Sequence, residues 1–99
     1  MFLVSTSTYP LTKTNEVSAR FQKAAAAQLP SFLKRLYTLT TPGGEGIKVV
    51  GIYQVDDDKV AEGLRQLTRY FVEFYDVEGF KYIVETMFTA QESIPLLRR

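Results

Sequence analysis

Few side chains in this 99-residue chain are equipped for chemistry. Arg35 and Tyr37, then Gln54, then Lys81 and Glu85 are the polar members of three segments that otherwise read as strands. An arginine near a tyrosine suits a carboxylate-bearing small molecule, because a guanidinium meets a carboxylate through two parallel hydrogen bonds. The competing reading is that Arg35, Lys81 and Glu85 make cross-strand charge pairs at sheet edges. For acid–base work the candidates are Tyr37, Arg35 and Glu85. Glu85 would serve as a base only if burial raised its pKa.

Two further stretches invite a ligand and are better explained without one. Asp56-Asp57-Asp58 is acidic enough for a divalent cation, but consecutive carboxylates do not converge as alternate ones do. Helix capping and the helix dipole account for the run. Pro42-Gly43-Gly44-Glu45-Gly46 has the glycines of a phosphate loop, yet a strand and not a helix follows it. A long flexible hairpin connection is the expectation there. There is no Cys and no His, so disulfides, thiolate catalysis and the commonest general base are excluded. No metal and no cofactor is expected.

Charge and length narrow the class. Twelve Lys/Arg against eleven Asp/Glu leave the chain nearly neutral, which argues against nucleic acid as a partner. The apolar start Met1-Phe2-Leu3-Val4 gives way at once to Ser5-Thr6-Ser7-Thr8, unlike a signal peptide. No stretch approaches the ~20 apolar residues of a membrane span. The expectation is one cytoplasmic domain over 1–99, ending in a short tail over 89–99.

The elements that would position these groups follow from periodicity. Phe2–Tyr9 reads as a first strand. A helix with Val17, Phe21, Ala24 and Ala25 on its apolar face follows Thr14 or Asn15 and ends near Leu29, before Pro30. Its Ala24–Ala27 run would let the backbone approach a sheet closely. Phe32–Thr41 and Ile47–Val55 are the second and third strands. From Asp57, the stripe Val60, Leu64, Leu67, Phe71, Phe74 has helical period, and the helix fades between Tyr75 and Gly79. Gly51 and Gly63 read as close-packing positions. Arg65 and Arg69 lie on a solvated helix face beside Glu62, Gln66 and Glu73. Phe80–Phe88 is the fourth strand, and Thr89-Ala90-Gln91-Glu92 has capping-box spacing before Pro95.

The order β-α-β-β-α-β is the split βαβ arrangement, an α+β ferredoxin-like fold with both helices on one face of a four-stranded antiparallel sheet. Both faces of the third strand are apolar, so the face without helices needs a partner. Which parity of each strand faces the helices stays open, so the bare face carries either Val50 and Ile52 or Val49, Tyr53 and Val55, with either Ile83 and Met87 or Phe80, Tyr82 and Phe88. Val50, Ile52, Ile83 and Met87, joined by Ile94, Leu96 and Leu97 of the tail, are the expected dimer-interface residues.

On this order and patterning over Phe2–Phe88, the chain resembles the dimeric α+β-barrel superfamily, in which two such protomers press their open sheets together. That superfamily includes cofactor-free monooxygenases, muconolactone-isomerase-like enzymes, stress-responsive barrel proteins and many small bacterial proteins. The resemblance implies a homodimer holding a small apolar or carboxylated ligand, without catalysis, or alternatively a cofactor-free isomerase or monooxygenase. It supplies no catalytic residue, since His and Trp are absent and the single Asn, Asn15, sits at a helix start. An RNA-recognition module shares the element order, but the third strand offers only Tyr53 for base stacking.

Overall fold

The computed structural model describes residues 1–25, 28–44 and 46–97. Strand β1 is Phe2–Tyr9, helix α1 Thr14–Ala25, β2 Leu33–Gly43, β3 Gly46–Val55, α2 Val60–Val72, β4 Lys81–Met87 and α3 Ala90–Leu97. Single 3₁₀ turns, Leu11–Lys13 and Asp57–Lys59, lead into α1 and α2. The sheet order is β2-β3-β1-β4, with all neighbours antiparallel. Each β-α-β crossover is therefore split by one antiparallel strand, and the fold is α+β ferredoxin-like as the element order requires.

Alternation in β1 sets the two faces. Leu3, Ser5, Ser7 and Tyr9 are buried under the helices, while Phe2, Val4, Thr6 and Thr8 are half-buried on the other side. Register carries this parity to β3, where Val49, Gly51, Tyr53 and Val55 are buried opposite Ser7, Ser5, Leu3 and Met1's neighbourhood. The core divides in two. Leu3, Leu33, Tyr53, Val55 and Leu67 pack at one end. Tyr9, Val17, Val49, Phe71, Phe74 and Val77 pack at the other. There Phe74 stacks on Phe80 with centroids 4.7 Å apart, and Phe71 stacks on Tyr82 at 4.9 Å. Burial of each such ring contributes about 1.5–3 kcal/mol, which makes this aromatic end the main anchor of α2.

Helix α2 uses the expected stripe. Leu67, Phe71 and the following Phe74 are fully buried, and Val60 and Leu64 flank them half-buried. Gly63 lies against β1 and β3, where a Cβ would sit 3.0 Å from both Leu3 and Val55 side chains, so close packing explains it. Across the helices, Arg20 of α1 donates to Asp76, to the Glu73 carbonyl at 2.7 Å and to Glu16 at 3.1 Å. This ties α1 to the turn that ends α2.

Several expectations need correction. The β2–β3 connection is not long: Gly43 pairs with Gly46, leaving two residues between them, and Glu45 lies outside the described residues. Gly46 holds φ at +125°, and a Cβ there would lie 2.2 Å from the Tyr9 carbonyl oxygen, so this tight turn requires glycine. Helix α2 starts three residues later than expected, because Asp57–Lys59 winds as 3₁₀, and it ends at Val72. Asp56 makes no capping hydrogen bond; Asp57 accepts one from the Met1 amino nitrogen at 3.1 Å. Thr14 does not accept a capping bond either, since its hydroxyl donates to the Leu11 carbonyl at 2.6 Å. Gln28 and Leu29 lie outside α1, and Ala26 and Ala27 lie outside the described residues.

The capping box at the start of α3 forms as spaced. The Thr89 backbone donates to Glu92 and the Glu92 backbone to the Thr89 hydroxyl, both at 3.1 Å. The helix nonetheless runs past Pro95 to Leu97. Apart from half-buried Ser93 it is exposed along its length, with Ile94, Leu96 and Leu97 open to solvent. A radius of gyration of 14.8 Å, against about 13 Å for a compact chain of this length, fits a helix that stands away from the body.

Candidate functional site

The register defines the open face of the sheet as four rows running from β2 to β4. They are Lys34, Gln54, Phe2, Met87; then Tyr37, Ile52, Val4, Glu85; then Leu39, Val50, Thr6, Ile83; then Thr41, Lys48, Thr8, Lys81. The middle is apolar and uncovered within the chain. Tyr37 is 62% exposed, Leu39 54%, Ile83 55% and Met87 40%. Val50, Ile52, Ile83 and Met87 thus share one face, while Ile94, Leu96 and Leu97 lie apart on α3.

Within one chain the five polar residues singled out from the sequence do not converge. Tyr37 and Glu85 occupy one row but opposite edge strands, about 14 Å apart by strand spacing. Lys81 and Gln54 lie at opposite ends of the same face. Arg35 is not on this face at all. A bulge at Leu36 separates the pairs Arg35–Tyr53 and Tyr37–Ile52, so the side-chain parity of β2 inverts between Arg35 and Tyr37. Within one chain Arg35, Tyr37 and Glu85 do not meet at one point. Tyr53 also faces the helices, beneath the Arg35 guanidinium, whose carbon lies 5.6 Å from the ring centroid.

Arg35 instead enters a cavity of about 340 Å³ between the helices and the sheet. Its origin is small side chains on both layers. On the sheet, Ser5 pairs with Gly51, and Ser7 lies two residues on. Above them α1 presents Ser18 and Ala25. The alanine run expected to bring α1 down onto the sheet leaves room at Ala25, which is exposed and lines the space. Tyr53, Phe71 and half-buried Phe21 and Tyr70 form the apolar walls, while exposed Gln22, Thr38 and Thr40 stand at the mouth.

The electrostatics of this cavity are one-sided. Arg35 is the charged residue of its lining, and no described carboxylate pairs with it. Ser5 and Ser7 are 3% and 1% exposed. Among the described residues neither hydroxyl makes a hydrogen bond; the hydroxyl donors are Thr14, Thr41, Thr68 and Ser93. Among the described residues no polar side-chain atom is sealed off without a partner, and both serines line the cavity. Burial pushes the Tyr70 phenol up to about 12, with neighbouring Tyr53 adding to the shift and Arg35 opposing it. Tyr70 is therefore a protonated donor at any ordinary pH. The sequence did not point to Ser5, Ser7 or Tyr70 as site residues, and Tyr53 was weighed only for base stacking. The available signal was two serines set between Leu3 and Tyr9 on one face of a strand that must be central.

Among the described residues no group of three or more His, Cys, Asp or Glu side chains is placed to hold a metal ion. No helix of the described residues is long and apolar enough to cross a membrane.

No family model matches the chain, and no protein of curated function matches it. Among solved structures it is similar to the C-terminal domain of the MgtC protein from Mycobacterium tuberculosis, at 14% identity and TM-score 0.47 over 85% of each chain. It is also similar to a formyltetrahydrofolate deformylase from Pseudomonas putida KT2440, at 10% identity and TM-score 0.42. That match covers 87% of this chain and 28% of the deformylase.

Proposed function

We propose that the chain is a non-catalytic interaction module working as a homodimer, its open sheet face meeting the same face of a second copy as in dimeric α+β barrels. The observation that carries this is the apolar centre of the four rows, Val4, Leu39, Val50, Ile52 and Ile83, on a sheet face that no described element of its own chain covers. A second copy suits the pattern. A twofold axis along the strands, between β1 and β3, sets Leu39 against Ile83 and Ile52 against Val4. The same axis places Tyr37 opposite Glu85, a phenol facing a carboxylate, and opposes no two like charges directly. The exposed Ile94, Leu96 and Leu97 of α3 extend the apolar contact toward the neighbouring copy.

Sedimentation equilibrium at micromolar concentration is the test. The wild-type chain is expected at twice its 11.3 kDa mass, and Ile52→Glu at the monomer mass with unchanged circular dichroism. A wild-type monomer would remove the proposal.

A further inference from the structure

We propose that the cavity between the helices and the sheet binds a small monocarboxylic acid with an aromatic or branched apolar body, its carboxylate held by Arg35. This site lies on the opposite side of the sheet from the proposed dimer face and does not depend on it.

Three observations point to that ligand class. First, Arg35 brings a positive charge to the cavity with no described carboxylate to neutralise it. An unpaired guanidinium beside an apolar wall gains most from an anion that can accept two parallel hydrogen bonds. Second, Ser5 and Ser7 line the same space, and no side-chain hydrogen bond of the described residues engages either hydroxyl. Hydroxyls that line a cavity and are not engaged by the protein can donate to a guest bearing acceptors. Tyr70, its phenol kept protonated by burial, lines the same space. Third, the walls are Phe21, Phe71, Val49 and the Tyr53 ring, which favour an apolar body over a second charged group.

Size and charge restrict the class further. A space of about 340 Å³ is at the small end of ligand pockets, room for one ring or a branched chain with its acid group. Among the described residues the lining contains no Asp or Glu. An amino acid would leave its ammonium without a counter-charge, whereas a plain carboxylic acid leaves nothing unpaired. Exposed Thr38, Thr40 and Gln22 at the mouth give an entry between α1 and the β2 edge.

The test is titration of the full chain with phenylacetate, phenylalanine and 2-phenylethanol, followed by amide chemical shifts. Phenylacetate is expected to saturate, with the amino acid and the alcohol each at least about tenfold weaker. Shifts should move at Ser5, Ser7, Gly51 and Arg35, leaving Val50 and Ile83 in place. Arg35→Gln should lower phenylacetate affinity by about tenfold or more, and Tyr37→Ala, on the far face, should leave it unchanged. Absence of saturable binding would overturn the proposal. So would shifts confined to the open face, or an Arg35→Gln variant that binds as the wild type does. Should Arg35→Gln fail to fold, Ser5→Val, which fills the cavity floor, gives the same reading: retained affinity overturns the site.

Discussion

Ser5 and Gly51 face each other across β1 and β3, and a Cβ built on Gly51 would lie 2.7 Å from the Ser5 hydroxyl oxygen. The same Cβ would lie 2.9 Å from the Tyr53 ring. The glycine therefore keeps the serine and the tyrosine where they shape the cavity floor.

Gly51→Ala is expected to destabilise the fold by about 1–3 kcal/mol, because the ring and the hydroxyl must both shift. Ser5→Ala removes one of the two obstructions. Urea unfolding of the double variant should show a smaller loss than the sum of the single ones, as expected of residues in contact.

Phe74 is fully buried among Phe21, Phe71 and Phe80, whereas adjacent Tyr75 is 85% exposed. Phe74→Ala should cost about 3–5 kcal/mol and Tyr75→Ala less than about 0.5 kcal/mol in the same unfolding measurement. Similar losses for both would mean that the aromatic cluster does not anchor α2.

The bond from Arg20 holds the Asp76 carboxyl below its ordinary value of 3.8. A carboxylate depressed in the folded state contributes stability that is present above the unfolded value and lost as pH falls through the folded one. Thermal melts of the wild type should therefore fall more steeply below pH 4 than those of Asp76→Asn. Parallel melting curves in acid would show that this ion pair is not felt.

Tyr70 carries the opposite sign. Its phenol, ordinarily at 10.0, is pushed up to about 12 by burial, so its contribution is complete below pH 10 and lost as pH rises toward 12. Tyr70→Phe should flatten that alkaline fall in melting temperature. Since Arg35 lowers the Tyr70 value, Arg35→Gln should delay the phenolate absorbance change still further.

Much of the architecture was legible because it rests on period. The stripe Leu67, Phe71, Phe74 marked α2, and alternation marked β4 as a strand, while which of its two sides lay open was decided by the fold. The reciprocal Thr89–Glu92 cap followed from spacing alone. Helix and strand ends were less legible: Asp57–Lys59 took a 3₁₀ turn, and Gly43–Gly46 closed a shorter hairpin than its glycines suggested. Such ends depend on contacts beyond the local chain, as where Gly46 meets Tyr9.

What the sequence determined by itself was the order of elements, the ferredoxin-like class, and the presence of apolar residues on both faces of β3. Those properties are carried by spacing, which survives in one dimension. Which side Arg35 occupies was decided in three dimensions, because a single extra residue at Leu36 inverts the strand. The cavity was decided there too. Ser5, Gly51, Ser18 and Ala25 come from four separate segments, and their smallness makes a space only when the sheet and helix layers bring them together.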